Sequence, residues 1–502
     1  MELMSWLLLG VLFISCLYLW GKIRSSKTPP NFPPGPWGLP VIGSPWLLFR
    51  DTHVLLSELS RKFGDVVSIN MLGDRNIGLN SAEAMREAFA SQATGLIFSG
   101  RQQALSISSN YDHSTMFAEP TPVWSKKRKL IHKILNMYGE GVHEMESVIH
   151  DELSHVVQWL ESHKGLVNLD HVIYPSLSNI LAMLLVGKRY DYDSKVLANI
   201  RVFVDAGNLS FSPVNNLLLS KFPFLRYIPI GPGKYTMKTC QAAEQFLKDV
   251  YEETKATYDP EVTRGMIDYL LRQQEEERAQ NGESWLSDED VKAIVLEMVD
   301  AGSSTTRGAL YEFFLIMVYK PEVAKRIQEE IDEVIGPGRL VKIDDRANMP
   351  YTVATIFELL RYTSHVPLAV PHVTTEDVTF KGYSIPKRTP VLPNLWGCHH
   401  DEKVWPDPWE YKPERFLDEN MKLLPTDHPN RKNLIPFGIG RRFCVGETFA
   451  RSRMFVFIVT LLQRFNFSRD PERPLPPCDP RTFRFSAVMW PDDYYVRIEP
   501  RV

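Results

Sequence analysis

Apolar positions recur three and four residues apart along most of this chain, and each such run predicts a helix with one face turned to a core. The clearest runs cover Val123–Met137, Ser147–Glu161, Asp288–Tyr319, Pro321–Ile335 and Gly446–Phe465. Strict alternation is rarer and shorter: Val66–Asn70 and Val378–Ile385 predict strands. The charged, Gln-containing stretch Glu275–Glu283 reads as a solvent loop or a frayed helix. No repeat, low-complexity block or second linker follows residue 45, so residues 45–502 are expected to form one large domain, mainly α with smaller β-sheets.

The amino terminus breaks the amphipathic pattern. No residue from Leu3 to Trp20 is charged, and as a helix this run would span about 27 Å, close to the hydrocarbon thickness of a bilayer. Trp6, Tyr18 and Trp20 lie near its ends, and Lys22, Arg24 and Lys27 follow it. The positive-inside rule then leaves the bulk of the chain in the cytoplasm. A cleaved signal peptide would carry its basic residues first and a small-residue cleavage site afterwards. Residues 1–21 are therefore expected to be a single-pass anchor. Residues 22–44, basic and then proline-rich from Pro29 to Pro36, are expected to be a stiff hinge. Phe222–Pro229, apolar but broken by prolines, either dips into the membrane face or is a packed loop.

Composition narrows the function. Of 502 residues, 57 are Lys or Arg and 61 are Asp or Glu, a net charge of −4, with 44% hydrophobic and 24% charged residues. That balance excludes a disordered chain, a coiled coil and a multi-span membrane protein, and it gives no electrostatic case for nucleic acid. The five cysteines, at 16, 240, 398, 444 and 478, are odd in number and far apart, which argues against a disulfide framework and for a reducing compartment. His150 and His155 are spaced by five and do not form an HExxH zinc helix, and no phosphate loop or dinucleotide fingerprint occurs.

One cysteine stands in a loop built for chemistry. Residues 437–446 read Phe-Gly-Ile-Gly-Arg-Arg-Phe-Cys-Val-Gly. Two glycines permit a tight turn close under a flat ligand, and a helical pattern begins just after Cys444, so the first amides and the helix dipole would favour its thiolate. A lone thiolate is a poor zinc site and a good axial ligand for haem iron. These residues match FGxGxRxCxG, and the chain resembles the cytochrome P-450 superfamily over residues 30–500, most closely the microsomal branch that includes drug-metabolising enzymes and steroid 17α-hydroxylase/17,20-lyase. Glu358-Leu359-Leu360-Arg361 matches the family's ExxR pair and Pro413-Glu414-Arg415-Phe416 its PERF element. Glu58–Arg61, Glu83–Arg86, Glu261–Arg264 and Glu275–Arg278 also fit ExxR, so order and spacing select the one that the resemblance makes a buried structural triad.

The resemblance implies haem b ligated by Cys444, with cofactor contacts from Arg101, Trp124, Arg128, His372, Phe437 and Arg442. It also implies insertion of one oxygen atom from O2 into a lipophilic substrate such as a steroid, fatty acid or xenobiotic. Electrons would come from NADPH through NADPH–cytochrome P-450 reductase, with cytochrome b5 as a further candidate donor, at the endoplasmic reticulum membrane. Pocket walls would come from the segment after Arg101, Asp300–Thr305, Ser364–Val370 and Phe485–Val488.

One departure concerns oxygen chemistry. Where family monooxygenases carry an acid before a Thr-Thr pair, this chain has Asp300-Ala301-Gly302-Ser303-Ser304-Thr305-Thr306. Thr305 holds the alcohol position and Ser304 replaces the acid; a serine cannot supply a carboxyl proton. Water held by Ser304 and Thr305, with Asp300 one turn earlier, would take over the relay; the rival reading makes Asp300 a solvated or capping residue. The missing acid also leaves room for a thiolate-haem isomerase or dehydratase acting on a peroxide without O2, and a non-catalytic haem sensor or carrier is the third class. Lys126, Lys127, Arg128, Lys129, Lys133 and Arg441 form a basic face suited to an acidic flavoprotein, or simply a solvated face.

Overall fold

The computed structural model describes residues 29–39, 43–44, 50–101, 113–139, 143–163 and 165–501, with Gly10 and Ser15 besides. Apart from those two residues, the expected anchor over 1–21 lies outside the described residues, as does the first part of the hinge. Among the described residues no helix is long and apolar enough to cross a membrane. The fold is mainly helical with small sheets and resolves into two compact units.

The smaller unit comprises Met1–Gln102, Leu368–Cys398 and Gly438–Phe443. Its four-stranded sheet runs in the order Val66–Met71, Asp74–Leu79, Pro390–Pro393, His372–Val373. The pairing is antiparallel except between Asp74–Leu79 and Pro390–Pro393. The second half of the hinge lies against this sheet: Ser68 donates its amide to Pro34 O at 2.7 Å and its hydroxyl to Pro33 O at 2.8 Å. Val378–Ile385 is two strands, Val378–Phe380 and Tyr383–Ile385, because Lys381 and Gly382 take positive φ (48° and 82°) and turn the chain back on itself. Helix Ala82–Ala90 starts at Ser81, whose hydroxyl accepts the Ala84 amide.

The larger unit comprises Gln103–Pro367, His399–Phe437 and Cys444–Val502. Its axis is the helix Asp288–Tyr319, which begins with a capping box between Ser287 and Asp290. That helix is apolar on most sides because it is packed on most sides: against Asp170–Val186, Lys195–Ser210, Pro350–Thr363 and Glu447–Arg464. The helices Pro122–Gly139, His143–Ser162, Pro321–Val334 and Glu447–Arg464 fall within a few residues of their predicted limits. Glu275–Asn281 is the solvent end of a helix, Met266–Asn281, rather than a loop. Burial of Leu270, Leu271 and Gln274 carries the helix forward, and Gly282 at φ 78° ends it with its amide on Arg278 O.

Candidate active site

The cysteine loop is shaped by two glycines in the left-handed region, Gly438 (φ 74°) and Gly440 (φ 75°). At Gly440 a Cβ would fall 2.0 Å from Phe89 O, so no other residue fits the turn. Across the turn, Cys444 donates its amide to Phe437 O at 2.9 Å. Helix Glu447–Arg464 follows, with Gly446 as its cap. The Cys444 side chain is open to solvent on one side, yet protein crowds it closely enough that burial pushes the thiol up. Both hold for a group deep in the fold that faces outward in one direction. The Gly446 amide, Arg128 and Arg453 pull the other way, while Glu447 adds to the rise. A coordinated cation would invert this balance outright, since metal-bound thiols are deprotonated.

In the smaller unit Arg101, His372 and Arg442 are drawn together on backbone carbonyls. Arg101 Nη1 donates to Val370 O at 2.7 Å and Pro371 O at 2.8 Å, and Arg442 Nε donates to Ser99 O at 2.9 Å. His372 Nδ1 donates to Phe98 O at 2.6 Å, and the ring stacks on Phe89 at 4.2 Å. Burial first, then Arg101, and further down Arg442, hold His372 well below its ordinary value. A site this positive favours an anion, and two guanidiniums suit carboxylates. Neutral His372 with its proton on Nδ1 presents an acceptor at Nε2, so a carboxylate partner there would draw a second proton onto the ring.

In the larger unit Trp124 is buried, and its indole N–H donates to Thr115 O at 3.0 Å. Arg128 lies over the Trp124 ring at 5.4 Å. Burial lowers Arg128, while Glu297 and Cys444 act in the opposite sense. Glu297 accepts the Thr115 amide at 2.8 Å and its hydroxyl at 2.7 Å. Lys127 is a correction: it is buried, ion-paired with Asp290 and bonded to His113 O at 2.7 Å, so it is no part of an exposed basic face. Lys126, Lys129 and Lys133 are exposed.

Around the Ser-Ser-Thr-Thr run, Ala301, Gly302 and Thr305 keep partial exposure, whereas Asp300, Ser303, Ser304 and Thr306 are buried. Thr305 Oγ1 donates to Ala301 O at 2.8 Å. Asp300 lies mid-helix and buried beside Gly207, where a Cβ would stand 3.6 Å from Oδ1, so it neither caps the helix nor faces solvent. A residue that the sequence reading passed over is Arg453, which reaches this turn from the cysteine's helix. Its signal is a cationic residue among the mostly apolar buried positions of Phe449–Leu462.

The ExxR element is buried as the resemblance implied. Glu358 and Arg361 are both 0% exposed and joined by two 2.8 Å bonds, and Arg415 Nε adds a third contact at 3.3 Å. Arg361 also donates to His399 O and Pro408 O. The selection of this pair over the other four is a matter of burial: Glu58, for one, pairs with Arg50 at the surface.

A thiol that follows a glycine turn and precedes a helix is suited to serve as the axial ligand of haem iron. The chain belongs to the cytochrome P-450 family, whose model matches residues 33–498. Among curated proteins it is similar to cytochrome P-450 2U1 of Homo sapiens, 32% identical with 96% of this chain and 91% of that protein covered. It is also similar to cytochrome P-450 2U1 of Rattus norvegicus, at 34% with 94% and 91% covered. Cytochrome P-450 1A1 of Homo sapiens is 32% identical, with 93% of each covered. It is therefore a haem monooxygenase, an oxidoreductase whose iron is held by a cysteine thiolate.

Proposed function

We propose that this monooxygenase inserts one oxygen atom into a lipophilic substrate at the endoplasmic reticulum membrane, using NADPH through NADPH–cytochrome P-450 reductase, with cytochrome b5 as a second donor. The observation that carries the reading is the Phe437–Cys444 turn at the head of the Glu447–Arg464 helix. It supports Cys444 as the iron ligand, with Phe437 at the base of the turn. Bound haem would supply the oxygen-activating chemistry. Arg101, Arg442 and His372 would then hold its carboxylates together with Trp124 and Arg128, whose guanidinium lies over the Trp124 ring.

Thr305 presents its hydroxyl on the open face of the long helix and can pass a proton outward when it leaves Ala301 O. Asp300 and Ser304, buried one turn apart on the neighbouring face, hold water and proton behind it. Ala487 N bonded to Asn208 O at 3.2 Å and Met489 N to His365 O at 2.8 Å support Phe485–Val488 and Ser364–Pro367 as pocket walls.

The domain plan is an anchor over 1–21, a hinge over 22–44 and one catalytic body over 45–502, and the family match over residues 33–498 supports the single body. Phe222, Phe224, Tyr227 and Ile230 are 45%, 58%, 70% and 68% exposed beside Lys221 and Arg226, which favours the membrane-dipping reading of that segment over a packed loop. Exposed Lys126, Lys129 and Lys133 supply the face for an acidic reductase. The test is reconstitution with lipophilic candidates that shift the Soret band. Product must require NADPH, reductase and O2 together; product formed from a peroxide alone, with no need of NADPH or O2, would overturn the reading.

A further inference from the structure

Glu312 and His365 are both buried, and His365 Nδ1 donates to Glu312 Oε1 at 2.8 Å. The other polar atoms of the pair, His365 Nε2 and Glu312 Oε2, have no hydrogen-bond partner among the described residues. The imidazole lies against Gly308 so closely that a Cβ there would fall 2.0 Å from His365 Cε1 and 2.8 Å from Trp490 Cζ3. A glycine inside a helix costs about 1 kcal/mol relative to alanine. A buried carboxylate–imidazole pair with orphaned atoms is also less stable than two apolar side chains of the same volume. Two locally unfavourable choices thus serve one contact, and such departures gather at functional sites.

The place of the pair in the fold says which site. Thr305, Gly308 and Glu312 stand at i, i+3 and i+7 on one face of the long helix, with Gly308 about one turn beyond Thr305. Ser364, next to His365, holds φ 41°, in the left-handed region that a serine enters only under constraint. The His365 carbonyl accepts the Met489 amide at 2.8 Å. Met489 belongs to a short hairpin in which it pairs with Phe485, and the next residue, Trp490, stacks on Tyr311 with ring centres 5.6 Å apart. His365 therefore joins three things: the Ser364–Pro367 segment, the Phe485–Trp490 hairpin and the helix turn that follows Thr305.

We propose that Glu312 and His365 are a positioning pair for the monooxygenation, fastening these two pocket walls to the long helix and so fixing which part of a bound substrate is oxidised. The inference rests on Ser364–Pro367 and Phe485–Val488 as pocket walls. An apolar pair would fill the same space, but it would leave the ring free to slide along the helix. The Nδ1–Oε1 bond is directional and is strengthened by the low dielectric around it, so it holds the wall at one register. A wall held in place beforehand spares a large ligand the entropy of ordering it.

The experiment is a Soret titration of the full-length holoenzyme with two probes. Imidazole is small enough to reach the iron without touching the walls, whereas the ring of 4-phenylimidazole must pack between them. The affinity for 4-phenylimidazole divided by that for imidazole therefore reports the walls and cancels changes at the iron. Glu312→Gln keeps an acceptor for His365 Nδ1 and should hold this ratio within about twofold of the natural protein. Glu312→Met combined with His365→Phe removes both polar partners at similar volume, so haem content and thermal midpoint should be retained. The ratio in this double variant should nevertheless fall about tenfold, the effect of about one buried hydrogen bond.

A double variant with the natural ratio overturns the proposal, as does a glutamine variant shifted as far as the double. Loss of haem in the double variant overturns it too, because the pair would then be a requirement of folding and not of the pocket. Val366, half-buried in the same wall, separates the two levels of argument. Val366→Trp should weaken 4-phenylimidazole and spare imidazole. If it does so while the double variant leaves the ratio unmoved, the wall stands and the role of the pair alone is refuted. If Val366→Trp changes neither affinity, Ser364–Pro367 is no pocket wall and the pair's role falls with it.

Discussion

Thr305 Oγ1 donates its hydrogen to the carbonyl of Ala301, one turn back on the long helix, at 2.8 Å. The bond parks the hydroxyl against the helix and keeps it on the partly exposed face with Ala301 and Gly302. Thr305→Ala should therefore preserve folding and haem content while product formed per NADPH drops on the order of tenfold to a hundredfold. Peroxide release should rise to match, and Thr305→Ser should restore most of the coupling. A fully coupled alanine variant would remove Thr305 from proton delivery.

Asp300 poses a separate question, since it is buried whereas Thr305 is partly exposed. Asp300→Asn keeps the shape and the hydrogen-bonding capacity but removes the ionisable proton. Slower product formation with more peroxide is expected, together with an unchanged thermal midpoint. Unchanged coupling would leave Asp300 a purely structural carboxylate.

The Glu358–Arg361 pair, at 0% exposure on both sides, should be intolerant of single changes. Arg361→Met leaves a buried carboxylate with its bidentate partner gone, at a cost of about 3–5 kcal/mol. Arg361→Lys should rescue little, because an ammonium cannot satisfy both carboxylate oxygens and the carbonyls of His399 and Pro408. Denaturant midpoints and retained haem measure the loss.

Acid should weaken the fold through His399. Its Nε2 accepts the Ile435 amide at 3.1 Å and its Nδ1 donates to Ser364 Oγ at 2.8 Å, an arrangement only the neutral ring can hold. Burial, then Arg361, lowers it from 6.5 to about 3. Below 6.5 the unfolded chain binds a proton that the folded ring refuses, so this residue's contribution is complete above 6.5 and declines as pH falls toward 3. The slope is about 1.4 kcal/mol per pH unit. His53, lowered to about 3 by burial, adds in the same sense. His399→Gln should flatten unfolding free energy against pH over that window, and an unaltered slope would exclude His399 as its source.

Charge reversal should divide the basic helix in two. Lys126→Glu with Lys129→Glu, both on exposed positions, should slow reductase-supported turnover several-fold at low salt, with the difference fading as salt rises. Lys127→Glu should instead destabilise the fold, because it sets a second carboxylate against Asp290 in a buried place.

By itself the sequence determined what is local. Period 3.6 placed the long helix at Asp288–Tyr319 and the cysteine's helix at Glu447–Arg464 to within a residue. The contiguous Phe437–Gly446 signature singled out Cys444, because turn, ligand and helix start follow one another along the chain. What only the tertiary structure decided is which polar groups are buried and with whom, since those partners are far apart in sequence. Arg101 is anchored 269 residues away at Val370, and Arg453 meets Gly302 across 151 residues. The same contacts join the Trp124 indole to Thr115, bury Lys127 against Asp290, and choose Glu358–Arg361 from five equivalent spacings. Hydrophobic periodicity reports that a position faces inward. Whether a charge there finds its counter-charge depends on the long-range packing that the period leaves unspecified.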